Sequence, residues 1–210
     1  MIRILVADDH PIIRRGLKQI IDEAFDMKVE DEAENGYEVL EKIQKNNFDI
    51  ILLDISMPGM NGLDVLKQIK SIKPNLSVLI LSIYPEEHYA VRVLKAGASG
   101  YLSKESAPEE LVKAIRKVNT GGRYVSSSLA EKLAFDISAD YNKMAHELLS
   151  DREFQVMFMI ASGKTVSEIA AELSLSVKTV STYRYRILDK MNLNSNAELT
   201  HYAFKNNLIK

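Results

Sequence analysis

Cysteine and tryptophan are absent from the 210 residues. Without cysteine the chain forms no disulfide and no thiolate-held metal site. The four histidines (His10, His88, His146, His201) are scattered, with no His-x-x-x-His spacing that would suggest a structural zinc. No apolar run approaches the roughly 20 residues that span a bilayer. Asp8 and Asp9 interrupt the N-terminal apolar run before a signal-peptide core forms. The chain reads as a cytoplasmic protein with no membrane partner. Internal repeats and low-complexity tracts are lacking too, and glycine and proline number only nine and five.

What remains is the composition of an ordinary globular protein, 46% hydrophobic and 27% charged, with length for two domains. The net charge of −2 conceals a division. Residues 1–121 carry 16 Lys and Arg against 19 Asp and Glu, whereas residues 149–210 carry 8 against 6. From Val177 to Met191, Lys178, Arg184, Arg186 and Lys190 face Asp189 alone. A basic segment in an acidic protein points to an anionic partner for that segment, with a solvated helix face as the plainer alternative.

Apolar runs at Ile2–Ala7, Ile50–Leu53 and Val78–Leu81, and a weaker one at Tyr101–Leu102, read as strands. The polar stretch KVEDEA (28–33) reads as an edge strand. Helical periodicity fills the intervals Ile12 to Phe25, Tyr37 to Lys45, Leu63 to Ile72, Glu87 to Ala96 and Glu109 to Val118. Five strand–helix alternations imply an α/β doubly wound parallel sheet, whose ligands bind at the carboxyl ends of the strands. Gly121 and Gly122 close the fifth helix. Residues 122–148 read as a linker, with a short helix over Ser127 to Phe135 and the polar tract DISADYNKM. From residue 149 the pattern is helical only. Ser150 stands three residues before Glu153, a capping start, and Gly163 is a stop.

The expected sheet gathers a distinctive set of groups at one rim. Asp8 and Asp9 follow the first strand, Asp54 ends the third, Ser82 the fourth, and Lys104 lies just past the fifth. Clustered carboxylates attract a hard cation such as Mg²⁺. Asp54 is placed to act as nucleophile toward a phosphoryl group. A phosphoryl dianion would meet repulsion of roughly 4 kcal/mol per charge pair about 4 Å apart at an effective dielectric of 20. A divalent cation and Lys104 offset that repulsion, and Ser82 supplies a hydrogen bond to a phosphoryl oxygen. His10 reads as a turn residue.

In the second half, Val177, Val180, Ile187, Leu188 and Met191 fall within about 80° on a helical wheel and form the expected apolar face. Lys178, Thr182 and Tyr185 lie opposite, flanked by Thr179, Ser181 and Arg186. That basic, hydroxyl-rich face suits phosphates and base edges. The preceding TVSEIAAELSLS supplies a short helix and a tight turn, the arrangement that lays a second helix in a major groove. A generic helical bundle remains the alternative on geometry alone.

Residues 1–121 resemble the receiver domain of two-component response regulators: the acidic pair, the Asp before Met57-Pro58, the Ser and the Lys all stand at the expected spacings. Residues 149–210 resemble the LuxR-type helix-turn-helix of the NarL/FixJ regulators. LSDRE, SGKTVSEIAAELSLSVKTVSTYRYRILDKM and AEL carry that likeness, with KTVSTYRYRI closest to the GacA/UvrY/EvgA-like group. The resemblance implies sheet order 2-1-3-4-5 and a four-helix effector domain. It implies Asp54 as phosphoacceptor, with Asp9 a direct Mg²⁺ ligand, Asp8 acting through water and the Ser56 carbonyl a further ligand. Ser82 and Tyr101 would then couple phosphorylation to the surface of the fourth helix and fifth strand. Ser181, Thr182 and Tyr185 would face bases, and Lys178, Thr179, Arg186, Lys164 and Lys190 phosphates. Arg184 sits toward the packed side. The implied partners are a sensor histidine kinase, double-stranded DNA and a second copy of the chain once phosphorylated. The protein would not be a dedicated enzyme, though it could dephosphorylate itself. One rival is a receiver whose helical module binds protein or RNA. Another is an aspartate-nucleophile phosphatase of the haloacid dehalogenase type, which places its DxD motif after the first strand. Here Asp54 follows the third strand, and position 56 is Ser.

Overall fold

The computed structural model describes residues 1–84, 86–126, 129–130 and 144–209. The chain forms two compact units, Met1–Phe135 and Asp136–Lys210. Of the helix expected over Ser127 to Phe135, only Leu129 and Ala130 are among the described residues. The tract DISADYNKM lies outside them except for Met144.

The first unit is a parallel sheet of β1 (Ile2–Ala7), β2 (Met27–Ala33), β3 (Ile50–Asp54), β4 (Ser77–Ser82) and β5 (Gly100–Ser103), in the order β2-β1-β3-β4-β5. The crossovers are α1 (Pro11–Asp22), α2 (Gly36–Lys45), α3 (Gly62–Ile72), α4 (Glu86–Lys95) and α5 (Pro108–Asn119). Ile50 to Leu53 and Val78 to Leu81 are buried throughout, as strands covered on both faces must be. The polar β2 takes the edge, as its composition predicts, burying only Met27 and Ala33. Ile21 of α1 and Leu111, Ala114, Ile115 and Val118 of α5 close over Ile4, Val6, Leu52, Leu79 and Leu81 on one face.

One boundary departs from the periodicity. The first helix ends at Asp22, not near Phe25. Strand β2 must begin at Met27, paired with Ile2, so residues 23–26 turn the chain back and leave Phe25 exposed.

Among its described residues the second unit has first a short 3₁₀ turn at Ala145–Leu148. It continues with α6 (Asp151–Ala161), α7 (Val166–Glu172), α8 (Val177–Met191) and α9 (Asn196–Lys205). Ser150 with Glu153, and Thr165 with Glu168, form complete capping boxes that satisfy the first free N–H groups of α6 and α7. Gly163 adopts the left-handed conformation (φ 91°) that ends α6. Phe154, Met157, Ile169, Val180, Ile187 and Leu199 are buried and form the core of this bundle. Among the described residues, no helix is long and apolar enough to cross a membrane.

Candidate functional site

Strand register brings the polar strand ends together. Ala7 pairs with Leu53, which sets Asp8 beside Asp54 one residue further on. Asp54 pairs with Leu81, so Ser82 follows, and Ser82 pairs with Ser103, so Lys104 comes next. All four groups therefore lie along a single rim of the parallel sheet. Gly62 is needed for this packing, because a Cβ there would sit 2.2 Å from the Asp54 carbonyl oxygen. Without a side chain, the start of α3 closes directly on the end of β3, and the Gly62 N–H donates to the Ile55 carbonyl at 3.0 Å.

Asp8 and Asp54 are almost fully buried, at 1% and 2% exposure. The Lys104 ammonium bridges them, 2.6 Å from Asp8 Oδ2 and 2.8 Å from Asp54 Oδ2. The Ser56 N–H donates to Asp54 Oδ1 at 3.1 Å. Burial, reinforced by the negative charge of Asp8, holds the Asp54 carboxyl above the usual carboxylate range although Lys104 opposes it. One shared ammonium does not return the solvation that a buried carboxylate loses. Burial also opposes the charge of Lys104, but Asp54 and Asp8 outweigh it and raise that group above its ordinary value.

His10, expected as a turn residue, stands at the N-cap position of α1 with no capping bond from its side chain, and its ring reaches into the acidic cluster. Its Nδ1 lies 3.2 Å from Asp8 Oδ1 and 2.9 Å from Asp9 Oδ1. One ligating atom from each of Asp8, Asp9, His10 and Asp54 falls within 4.8 Å of the others. Three carboxylates against one ammonium leave the rim negative, and this oxygen-rich donor set fits a hard divalent cation.

Sequence reasoning missed Arg14. It is buried on α1 and donates from Nη1 to the Asp8 carbonyl at 2.8 Å and from Nε to Glu32 at 3.0 Å, and its Nη2 reaches Glu34. The guanidinium thus ties the first loop of the site to the end of β2. A signal was present: Arg14, Leu17 and Ile21 share the i, i+3, i+7 spacing of the inward stripe.

Ser82 is fully buried; its Oγ accepts from the Tyr84 N–H at 3.1 Å, and its carbonyl accepts from the Lys104 N–H at 2.9 Å. Tyr101 is also buried, at 1% exposure, where a strand aromatic could have been only half covered. Its hydroxyl donates to the Tyr84 carbonyl at 2.6 Å, and burial pushes the phenol well above its ordinary value. Tyr84 stacks on Tyr89 at 4.5 Å between ring centroids.

In the helical unit α8 presents Lys178, Ser181, Thr182, Tyr185 and Arg186 to solvent, with Thr179 half-buried beside them. Val180, Ile187, Leu188 and Met191 are buried as expected, but Val177 is not: it is 51% exposed. It is the first residue of the helix, whereas Val180, on the same face one turn on, is fully buried. Three of the basic residues already have partners. The Lys190 ammonium is 2.6 Å from Glu153 Oε2, the oxygen that also accepts from Ser150 in the capping box, and Lys164 pairs with Glu172. Arg184 donates from Nε to Asn196 Oδ1 at 2.6 Å.

Comparison with known proteins agrees with both halves. Residues 4–116 match the response regulator receiver domain, and residues 147–203 match the luxR family of bacterial regulatory proteins. The response regulator UvrY of Escherichia coli K12 is 39% identical over 209 residues, covering 99% of this chain and 96% of that protein. The response regulator GacA of Pseudomonas aeruginosa is 34% identical, over 100% of this chain and 98% of its own. Among solved structures, RcsB of Salmonella enterica serovar Typhimurium bound to promoter rprA with the phosphomimetic BeF₃⁻ superposes with a TM-score of 0.66. It is 27% identical and covers 96% of this chain and 98% of that one. A structure of two RcsB dimers on two parallel DNAs gives 0.60 at 26% identity, over 96% of each chain. The buried Asp8–Lys104–Asp54 bridge and the capped helix pair α7–α8 thus occur in a chain that belongs to the two-component response regulators with a LuxR-type helix-turn-helix domain.

Proposed function

We propose that this chain regulates transcription by accepting a phosphoryl group on Asp54 and reading double-stranded DNA with α8. The observation that carries the reading is the Asp54 carboxylate, buried at the rim and held 2.8 Å from the Lys104 ammonium beside Asp8. Members of this family act as phosphorylated regulators and not as dedicated enzymes.

In the proposed transfer a carboxylate oxygen of Asp54 attacks the phosphorus of a phosphohistidine on a sensor kinase. The P–N bond breaks, and the imidazole nitrogen leaves with the bonding pair and regains a proton. Lys104 places positive charge beside the incoming oxygens, and Ser82 lies at the neighbouring strand end to hydrogen-bond one of them. Asp9, Asp54 and the Ser56 carbonyl would hold Mg²⁺, with Asp8 contributing through water. When bound, the ion supplies the charge that lets a phosphoryl group approach a carboxylate cluster. Hydrolysis at Asp54 resets the switch.

Ser82 and Tyr101 are the proposed relay, since both meet at Tyr84 in the loop that leads into α4. On α8, Ser181, Thr182 and Tyr185 face base edges, while Lys178, Thr179 and Arg186 face phosphates, with Lys164 and Lys190 at the margins. A single module of net charge +2 makes few phosphate contacts. A homodimer on two half-sites gains affinity by linkage, and dimerisation is where phosphorylation exerts control. The RcsB structure on promoter rprA with BeF₃⁻ and that of two RcsB dimers on two parallel DNAs support this arrangement. Action on chromosomal DNA places the chain in the cytoplasm.

The test is to measure mass by light scattering and DNA affinity by anisotropy, with and without beryllofluoride, for wild type and Asp54→Asn. The expected result is a rise in both dimer population and specific affinity in wild type only. Equal values in all four samples would overturn the reading.

A further inference from the structure

His10 follows the acidic pair and precedes Pro11, which keeps its backbone extended, at φ −93° and ψ 109°. In that conformation its N–H donates to Asp8 Oδ1 at 2.9 Å, and its side chain is not spent on capping α1. The ring turns over the carboxylates instead, with Nδ1 3.2 Å from Asp8 Oδ1 and 2.9 Å from Asp9 Oδ1. The shorter contact is not a hydrogen bond. Asp9 Oδ1 is buried and accepts from no donor among the described residues. A ring nitrogen and a carboxylate oxygen therefore stand close together with no proton directed between them, which is the relation of two ligands on one cation.

The distances fit that relation. Around an octahedral divalent ion with bonds of about 2.1 Å, neighbouring ligands lie about 3.0 Å apart and opposite ones about 4.2 Å. The two Nδ1 separations bracket the first value, and one atom each from Asp8, Asp9, His10 and Asp54 already falls within 4.8 Å of the others. A neutral ring protonated at Nε2 turns the Nδ1 lone pair toward this space. The side chain is 64% exposed, so that tautomer sacrifices no buried hydrogen bond. Mg²⁺ prefers oxygen ligands and dehydrates reluctantly, whereas imidazole suits first-row transition ions. We infer that His10 is a further ligand of this site through Nδ1, and that its nitrogen moves the preference of the site from Mg²⁺ toward a first-row transition ion such as Co²⁺. Asp9 and Asp54 as metal ligands are the reading on which this rests, and His10 adds the nitrogen that an all-oxygen shell lacks.

The test uses the full chain with Mn²⁺ as the spectroscopic probe. Pulsed EPR of the Mn²⁺ that wild type holds and Asp9→Ala does not should show coupling to nitrogen. Labelling the histidines with ¹⁵N should change that coupling, and His10→Ala should abolish it. Mg²⁺ and Co²⁺ affinities are then read from displacement of the same Mn²⁺, which keeps binding at other histidines out of the measurement. His10→Ala should lose about tenfold or more toward Co²⁺, the scale on which groups around a metal act, and much less toward Mg²⁺. The Co²⁺-to-Mg²⁺ ratio should therefore fall by about that factor, and a general loss of affinity does not move it. His10→Gln offers an amide oxygen in place of the nitrogen, so it should keep Mg²⁺ binding and lose both the coupling and the preference for Co²⁺. Bound Mn²⁺ with no histidine coupling, or an equal ratio in wild type and His10→Ala, would overturn the inference and leave the Asp9 site standing. Absence of any Mn²⁺ that depends on Asp9 would overturn the metal reading and the inference with it.

Discussion

Arg14 donates from Nη1 to the backbone carbonyl of Asp8 at 2.8 Å, so a buried guanidinium on α1 holds the loop that carries the acidic pair. Replacing Arg14 with Met removes the bonds to Asp8, Glu32 and Glu34 and strands a buried carbonyl. The receiver should lose about 1–3 kcal/mol of stability, measured by urea unfolding. Mg²⁺ affinity should fall too, because Asp9 is the next residue along the released loop. Arg14→Lys keeps the charge but not the forked geometry and should recover less than half of either loss. Unchanged Mg²⁺ affinity in Arg14→Met would show that the loop holds its shape without the clamp.

The acceptor itself gives a sharper outcome. After incubation with acetyl phosphate and Mg²⁺, intact-protein mass spectrometry should find one phosphoryl group on wild type and none on Asp54→Asn. Asp9→Ala should abolish Mg²⁺ binding in a direct titration. Phosphorylated Asp54→Asn protein would place the acceptor elsewhere.

Burial holds Asp54 above the ordinary carboxylate range. A raised acid favours the folded state at low pH, and that advantage is lost as pH rises through the folded-state value. The metal-free receiver should therefore be less stable at pH 7 than Asp54→Asn, which carries no charge to bury. The difference should shrink as pH is lowered toward the usual carboxylate range. Denaturation midpoints at several pH values, with chelator present, read this directly. A gap that widens on acidification would contradict the assignment.

Glu153 behaves in the opposite sense. Burial works against its charge, but Lys190 and the Ser150 cap outweigh it and hold the carboxyl below its usual value. Its contribution is present above the unfolded-state value and is lost as pH falls through the folded one. Glu153→Gln should cost the helical unit about 2 kcal/mol at pH 7 and flatten its acid sensitivity. Thermal melts across pH 3–7, roughly the carboxylate range and above it, would show this.

That ion pair separates two lysines that look alike in the sequence. Lys178 is exposed, and Lys178→Ala should weaken binding to all DNA sequences and flatten the salt dependence by roughly one unit without lowering stability. Lys190 is tied to Glu153, so Lys190→Ala should lower the melting temperature as well. Equal melting temperatures for the two variants would mean the pair contributes nothing to the fold.

Local pattern was enough to place the strands, the helices, the caps at Ser150 and Gly163 and the rim set Asp8, Asp9, Asp54, Ser82 and Lys104. Strand runs and helix stripes are written in periodicity, and parallel topology gathers strand ends whatever the details of packing. What tertiary structure alone decided is how neighbouring elements use their side chains. A wheel drawn for α8 in isolation puts Val177 and Val180 on one apolar face, but in the folded bundle Val180 is fully buried while Val177, the first residue of the helix, is 51% exposed. The same wheel leaves Lys190 free, until Glu153 on α6 is folded against it. Arg14 occupies a position in the inward stripe that apolar residues usually fill. Only the carbonyl of Asp8 and the carboxylates of Glu32 and Glu34, brought in by β1 and β2, make a buried cation tolerable there.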